Sequence, residues 1–208
     1  MAAPGPSPRP VALGFSVHTG WAALVAIARS GGANLTVLDR RRIGMLPVPL
    51  TPRQDAYPHV FHAARDLPLS DAERFIRKAE EQARVRAREE LAAAVEGLRA
   101  AGHRVLEGAI ITGRESPSRA LEEILQSHTL VHAAEGALFR AVILGASEDL
   151  GLRIFQVPGH ELVRRAARAL GLPKDEVPEF LTQLGRPLGP PWTADHKAAT
   201  LAAALALS

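Results

Sequence analysis

The stretch GFSVHTGWAALVAI (Gly14–Ile27) constrains the fold more than any other part of the chain. Two apolar runs flank His18, Thr19 and Gly20, which is turn chemistry between two strands. The runs are VALGFSV (residues 11–17) and WAALVAIA (residues 21–28). A Gly- and Asn-rich segment, RSGGAN, follows, and then LTVLDRRRIGM, in which apolar and polar residues partly alternate. Residues 11–45 therefore read as a three-stranded antiparallel meander. A meander at the start of a longer α/β chain needs helices to cover its faces.

The rest of the sequence supplies them. Ser70 and Glu73 suggest a capping box, and Phe75, Ile76, Ala79, Ala83, Ala87, Leu91, Val95 and Leu98 form a helical stripe that ends near Gly102. HRVLEGAIITG predicts a fourth strand, apolar enough to lie inside a sheet. SPSRALEEILQSH predicts a short helix with Ser116 or Ser118 as cap, and TLVHAAEGALFRAVILGASEDLG a buried helix. LRIFQVP is a fifth strand, and GHELVRRAARALG, LPKDEVPEFLTQLG and TADHKAATLAAALAL, the last capped by Thr193, are helices. The expected fold is a mixed five-stranded α/β sheet with helices on both faces. Residues 1–10 read as a disordered Pro-rich tail and 11–208 as one domain. Residues 46–68, with five prolines, read as a long irregular connection packed by Tyr57 and Phe61.

Composition narrows the function classes. The absence of cysteine excludes disulfides, thiol catalysis and cysteine-based zinc sites. The 25 Lys and Arg against 22 Asp and Glu, spread along the chain, are compatible with nucleic acid without demanding it. The N-terminus lacks the pattern of a signal peptide. No apolar run approaches the length of a membrane span, about 18 residues or more. A cytoplasmic protein without a membrane partner is expected.

Several polar groups stand out. His128, His132 and Glu135 fall at i, i+4 and i+7, one helical face. Such a set can hold a divalent transition metal or form a polar active site, with His132 and Glu135 in catalytic roles. Equally, His128 can cap the helix while His132 and Glu135 make core hydrogen bonds. His18 stands with Ser16 and Thr19 in the apolar hairpin. Asp195 sits in the first turn of the last helix, where the helix dipole favours a carboxylate, beside His196 and Lys197. Trp192, in GPPW, reads as a hydrophobic staple or a stacking platform. Arg40 and Arg42 share a strand face and either bind phosphate or discourage edge pairing, together with Arg41. Arg164, Arg165 and Arg168 read as a solvated helix face.

The order of elements resembles the ribonuclease H-like fold, closest in texture to RuvC-type resolvases. VALGFSVHTGW resembles their opening LGIDPG…TGY, TADHKAATLAAALAL resembles their last helix DAADALAxAL, and VHAAEGALFRAVILGASEDLGLRIFQVP resembles the buried helix leading into their strand five. The resemblance implies DNA or RNA as partner, a homodimer as one arrangement, and a divalent metal held by converging carboxylates. On it, the first-strand Asp falls at Ser16, the acid after strand four at Glu115, and the last-helix acids at Asp195, Lys197 and Thr200. Ser16 is a poor Mg²⁺ ligand, so the resemblance implies a degenerate active site. His18 and Asp195 then carry any remaining chemistry, with Arg40, Arg42 and Lys197 as nucleic-acid contacts. A new His/Glu/Asp enzyme and a non-catalytic scaffold remain as alternatives. The middle domain of eukaryotic-type release factors is similar in topology, but Ser30–Asn34 lacks the Gln of its Gly-Gly-Gln loop.

Overall fold

A computed structural model describes residues 9–29, 34–46, 59–113 and 119–207. The expected positions Tyr57, Glu115, Ser116 and Ser118, and most of the Pro-rich tail, lie outside them. Five strands form one sheet: β1 (Arg9–His18), β2 (Trp21–Arg29), β3 (Leu35–Gly44), β4 (His103–Thr112) and β5 (Arg153–Pro158). Their order is β3-β2-β1-β4-β5. The first three pair antiparallel, while β4 runs parallel to β1 and β5 parallel to β4. The β1–β2 turn is as short as the sequence predicts: His18 pairs with Trp21, and Gly20 adopts φ +75°, a region open to glycine at no steric cost.

Strand parity sorts the core into two halves. Odd positions of β1 (Val11, Leu13, Phe15) and even positions of β2 (Ala22, Leu24, Ala26) meet the long helix α2 (Leu69–Ala100) and the helix α4 (His128–Asp149). Ala12 of β1, with Val25 and Ile27 of β2, meets α5 (Gly159–Leu170) and α7 (Ala194–Ala206). A bulge in the β2–β3 pairing shifts the parity of β3. Beyond it, Arg40 and Arg42 stand opposite Val25 and Ala23, on the α7 side. Fully burying Leu13 or Phe15 contributes roughly 1.5–3 kcal/mol each.

α7 lies so close to β1 that a Cβ on Gly14 would sit 1.8 Å from the Ala199 carbonyl oxygen and 2.7 Å from the Ala203 nitrogen. Glycine is therefore obligatory there, and the start of α7 is held beside the end of β1.

Four expectations need correction. Part of the Pro-rich connection is a helix, α1 (Val60–Ala64), which buries Val60, Phe61 and Ala64. The capping box does not form, because α2 starts at Leu69 after Pro68 and Ser70 falls inside the helix. Phe75 of the expected stripe is 38% exposed, because the buried line runs through Ala72, Ala83, Ala87, Leu91 and Leu98. Finally, α4 is long and apolar enough to cross a membrane by length and composition. Its His, Glu and Arg residues hide that length in the sequence. It packs as a core helix, burying Val131, Leu138, Phe139, Val142, Ile143 and Ala146. Two further short helices, α3 (Leu121–Gln126) and α6 (Val177–Gly185), complete the fold.

Candidate functional site

Two polar groups lie on opposite faces of the sheet. The first gathers at the end of β1 on the α7 side. Ser16 and His18 are even positions of β1, so both project towards α7. The Ser16 hydroxyl donates to Asp195 Oδ1 at 3.1 Å, and His18 Nε2 lies 2.6 Å from the same oxygen. With Asp195 ionised, both neighbours donate and the carboxylate accepts. Asp195 thus stands between Ser16 and His18. That order is not a nucleophilic triad, in which the imidazole must receive the hydroxyl proton. The arrangement instead fixes the orientation of the His18 ring.

His18 also stacks on Trp21, with ring centres 4.4 Å apart and planes 11° apart. The Arg42 guanidinium lies 4.1 Å from the centre of the Trp21 ring, a cation–π contact. A His18–Trp21–Arg42 assembly therefore crosses three strands, with the His18 side chain 43% exposed.

Beside it, the three arginines of β3 divide. The Arg40 guanidinium donates to the carbonyls of Leu188, Gly189 and Pro191 at 2.8, 2.9 and 2.5 Å, and more weakly to Pro190. Its terminal nitrogens hold the turn before α7, the geometry of a structural clamp. Arg41 pairs with Asp39 across the opposite face. Arg42 lies at the exposed end, over the Trp21 ring. Lys197, half-buried at the end of the first turn of α7, makes no ion pair among the described residues. Arg164 and Arg165 pair with Glu161, as a solvated helix face does.

The start of α7 is capped twice. Thr193 Oγ1 accepts from the His196 N–H at 3.3 Å, and His196 Nδ1 accepts from the Thr193 N–H at 3.2 Å. Trp192 stacks on His196 and donates through Nε1 to the Leu181 carbonyl at 2.8 Å, so it acts as a staple. Burial lowers the His196 pKa from its ordinary 6.5, and Arg40 adds to this while Asp195 opposes it. A neutral His196 is the form that accepts from Thr193. The unfolded chain then binds more protons below pH 6.5, so this contribution to stability is full above 6.5 and lost as pH falls through the folded value. Denaturant melts across that range should show a weaker acid-side loss in His196→Asn, whose side chain also accepts. Thr193→Ala should cost about 1 kcal/mol at neutral pH by the same melts.

The second group lies on the α4 side. Ser127, not His128, caps α4, accepting from the Leu130 N–H at 3.4 Å. His128 and His132 follow on one helical face, their Nε2 atoms 3.2 Å apart. His62 of α1 meets both rings edge-on, at 5.6 and 4.7 Å between centres. Glu135 is 1% exposed, and its Oε1 accepts the Phe61 N–H at 2.8 Å. Its carboxylate thereby satisfies a first-turn donor of α1. Donor atoms group as His62–His128–His132 and as His59–His62–Glu135. The expected trio His128, His132, Glu135 is thus divided by His62, and no hydrogen bond among the described residues joins His18 to His132 or Glu135. Strand parity is the reason, since His18 faces α7 and α4 covers the other side.

Neither the protein-family models nor the curated proteins match this sequence. Solved structures do match in fold. A structure of T. thermophilus RuvC in complex with Holliday junction substrate superposes with a TM-score of 0.55 at 13% identity, covering 94% of this chain and 91% of that one. A second Thermus thermophilus RuvC structure gives a TM-score of 0.51, also at 13% identity, covering 94% and 92%. The chain has a ribonuclease H-like fold.

Asp195 is the carboxylate that described contacts bring to Ser16, at the end of the first strand. A two-Mg²⁺ centre needs several carboxylates converging on both ions. Among the described residues, Ser16, His18 and an Asp195 whose Oδ1 already accepts two hydrogen bonds do not fit that donor set. The sequence reading missed Trp21, His59 and His62. The i, i+3 histidines of PHVFHAA were the available signal for the last two, inside a segment read as irregular.

Proposed function

We propose that this RuvC-like chain binds nucleic acid at the end of β1–β3 on the α7 side, without two-metal cleavage. The observation that carries the reading is the partly exposed His18 ring, held by Asp195 and backed by Trp21 and Arg42. A ring locked in orientation offers a flat surface for an unpaired base, and such stacking contributes about 1–3 kcal/mol per base. Arg42, with Lys197 nearby in sequence to Asp195, supplies positive charge for phosphates. The RuvC of the comparison is seen with a Holliday junction, which makes branched DNA the first substrate to try.

The donor set predicts the catalytic outcome. Mg²⁺ should give no cleavage above background of duplex, single-stranded or four-way-junction DNA on denaturing gels. Robust cleavage that disappears in Asp195→Asn would restore an orthodox nuclease and overturn the proposal.

A further inference from the structure

The histidines of the α4 side do not serve the surface formed by His18, Trp21 and Arg42, and their geometry has its own chemistry. His128 and His132 present Nε2 atoms 3.2 Å apart. Two nitrogens bound to one tetrahedral zinc ion, each at about 2.0–2.1 Å, stand about 3.3–3.4 Å apart. The pair is therefore already spaced as two ligands of one ion. His62 brings a third ring from α1, with a donor nitrogen within 4.8 Å of theirs.

A second observation lies behind His62. Its Nδ1 is 3.7 Å from Glu135 Oε1, too far for a hydrogen bond. Both His62 Nδ1 and Glu135 Oε2 are buried without a partner. A carboxylate 99% withdrawn from solvent with one oxygen unsatisfied is costly unless something completes it. Metal-bound histidines commonly donate their remaining ring N–H to a carboxylate, which fixes the tautomer. Glu135 stands where that partner belongs.

We propose that His62, His128 and His132 form a zinc-type site, with Glu135 as the positioning carboxylate behind His62. His62 binds through Nε2 and directs Nδ1–H towards Glu135. His128 and His132 are exposed, so the fourth position opens to water on their side. The ion would join α1 to α4. The site is independent of the nucleic-acid surface, which lies across the sheet.

Titration of the full chain with Zn²⁺, followed by isothermal calorimetry and thermal melts, tests the proposal. One equivalent should bind and raise the melting temperature. Co²⁺ should give the intense visible absorption of a tetrahedral nitrogen site. His128→Ala and His132→Ala, both at exposed positions, should each weaken binding by about 100-fold or more, and Glu135→Gln by about 10–100-fold. His160→Gln, on the exposed face of α5, should leave the affinity unchanged. Absence of stoichiometric binding by a folded wild-type chain would overturn the site. So would unchanged affinity in both His128→Ala and His132→Ala. Nucleic-acid binding that persists in these variants separates failure here from failure of the proposed function.

Discussion

Gly14→Ala should destabilise the protein by about 3 kcal/mol or more, or prevent recovery of folded chain. The added methyl would meet backbone atoms of Ala199 and Ala203 at 1.8 and 2.7 Å. A flexible side chain could turn aside, but a helix backbone cannot. α7 buries Ala199, Leu201, Ala202, Ala203 and Ala204, so it must move as a unit, and its packing on β1 and β2 is lost with it. The same shift would carry Asp195 away from Ser16 and His18. Urea melts should therefore report a large fall in midpoint. A variant with the stability of the wild type would show that α7 does not lie against β1 at this distance.

Arg40→Met should also be strongly destabilising, by about 2–4 kcal/mol. Methionine keeps much of the apolar stem but donates to none of the Leu188, Gly189 and Pro191 carbonyls. Arg40→Lys should recover only part of the loss, because an ammonium cannot reproduce the planar fork. The result separates two roles. A clamp loses stability when removed, whereas a phosphate ligand loses affinity and salt dependence at unchanged stability. An Arg40→Met chain as stable as the wild type but weaker for DNA would return Arg40 to the interface.

The sheet was legible because its signals are local. The turn at His18–Gly20, the alternation along β1 and β2, and the apolar runs of β4 and β5 each name an element without reference to the others. The approach of Ser16 and His18 to Asp195 followed from that topology, since both ends are set by strand and helix order. What was not legible depends on parity and on side-chain reach. The β3 bulge, invisible in LTVLDRRRIGM, decides that Arg40 and Arg42 face α7. The sequence then cannot tell that one guanidinium reaches a turn almost 150 residues later while the other lies over Trp21. Likewise, i, i+4, i+7 spacing put Glu135 with His128 and His132 on one helical face, but Glu135 turns to the α1 backbone and His62 takes its place. Spacing fixes a helical face and leaves the partner on the neighbouring element open.

The central claim is that the His18–Trp21–Arg42 end of the sheet is a nucleic-acid surface. Fluorescence anisotropy with labelled four-way-junction and single-stranded DNA tests it most directly, at about 50 mM and about 200 mM salt. The account predicts binding that weakens steeply with salt through counterion release. It predicts affinities at least about fivefold lower in His18→Ala and Arg42→Ala, by loss of about 1 kcal/mol or more, with melting temperatures near the wild type. Binding that ignores salt, no binding at the lower salt, or wild-type affinity in both variants would contradict it.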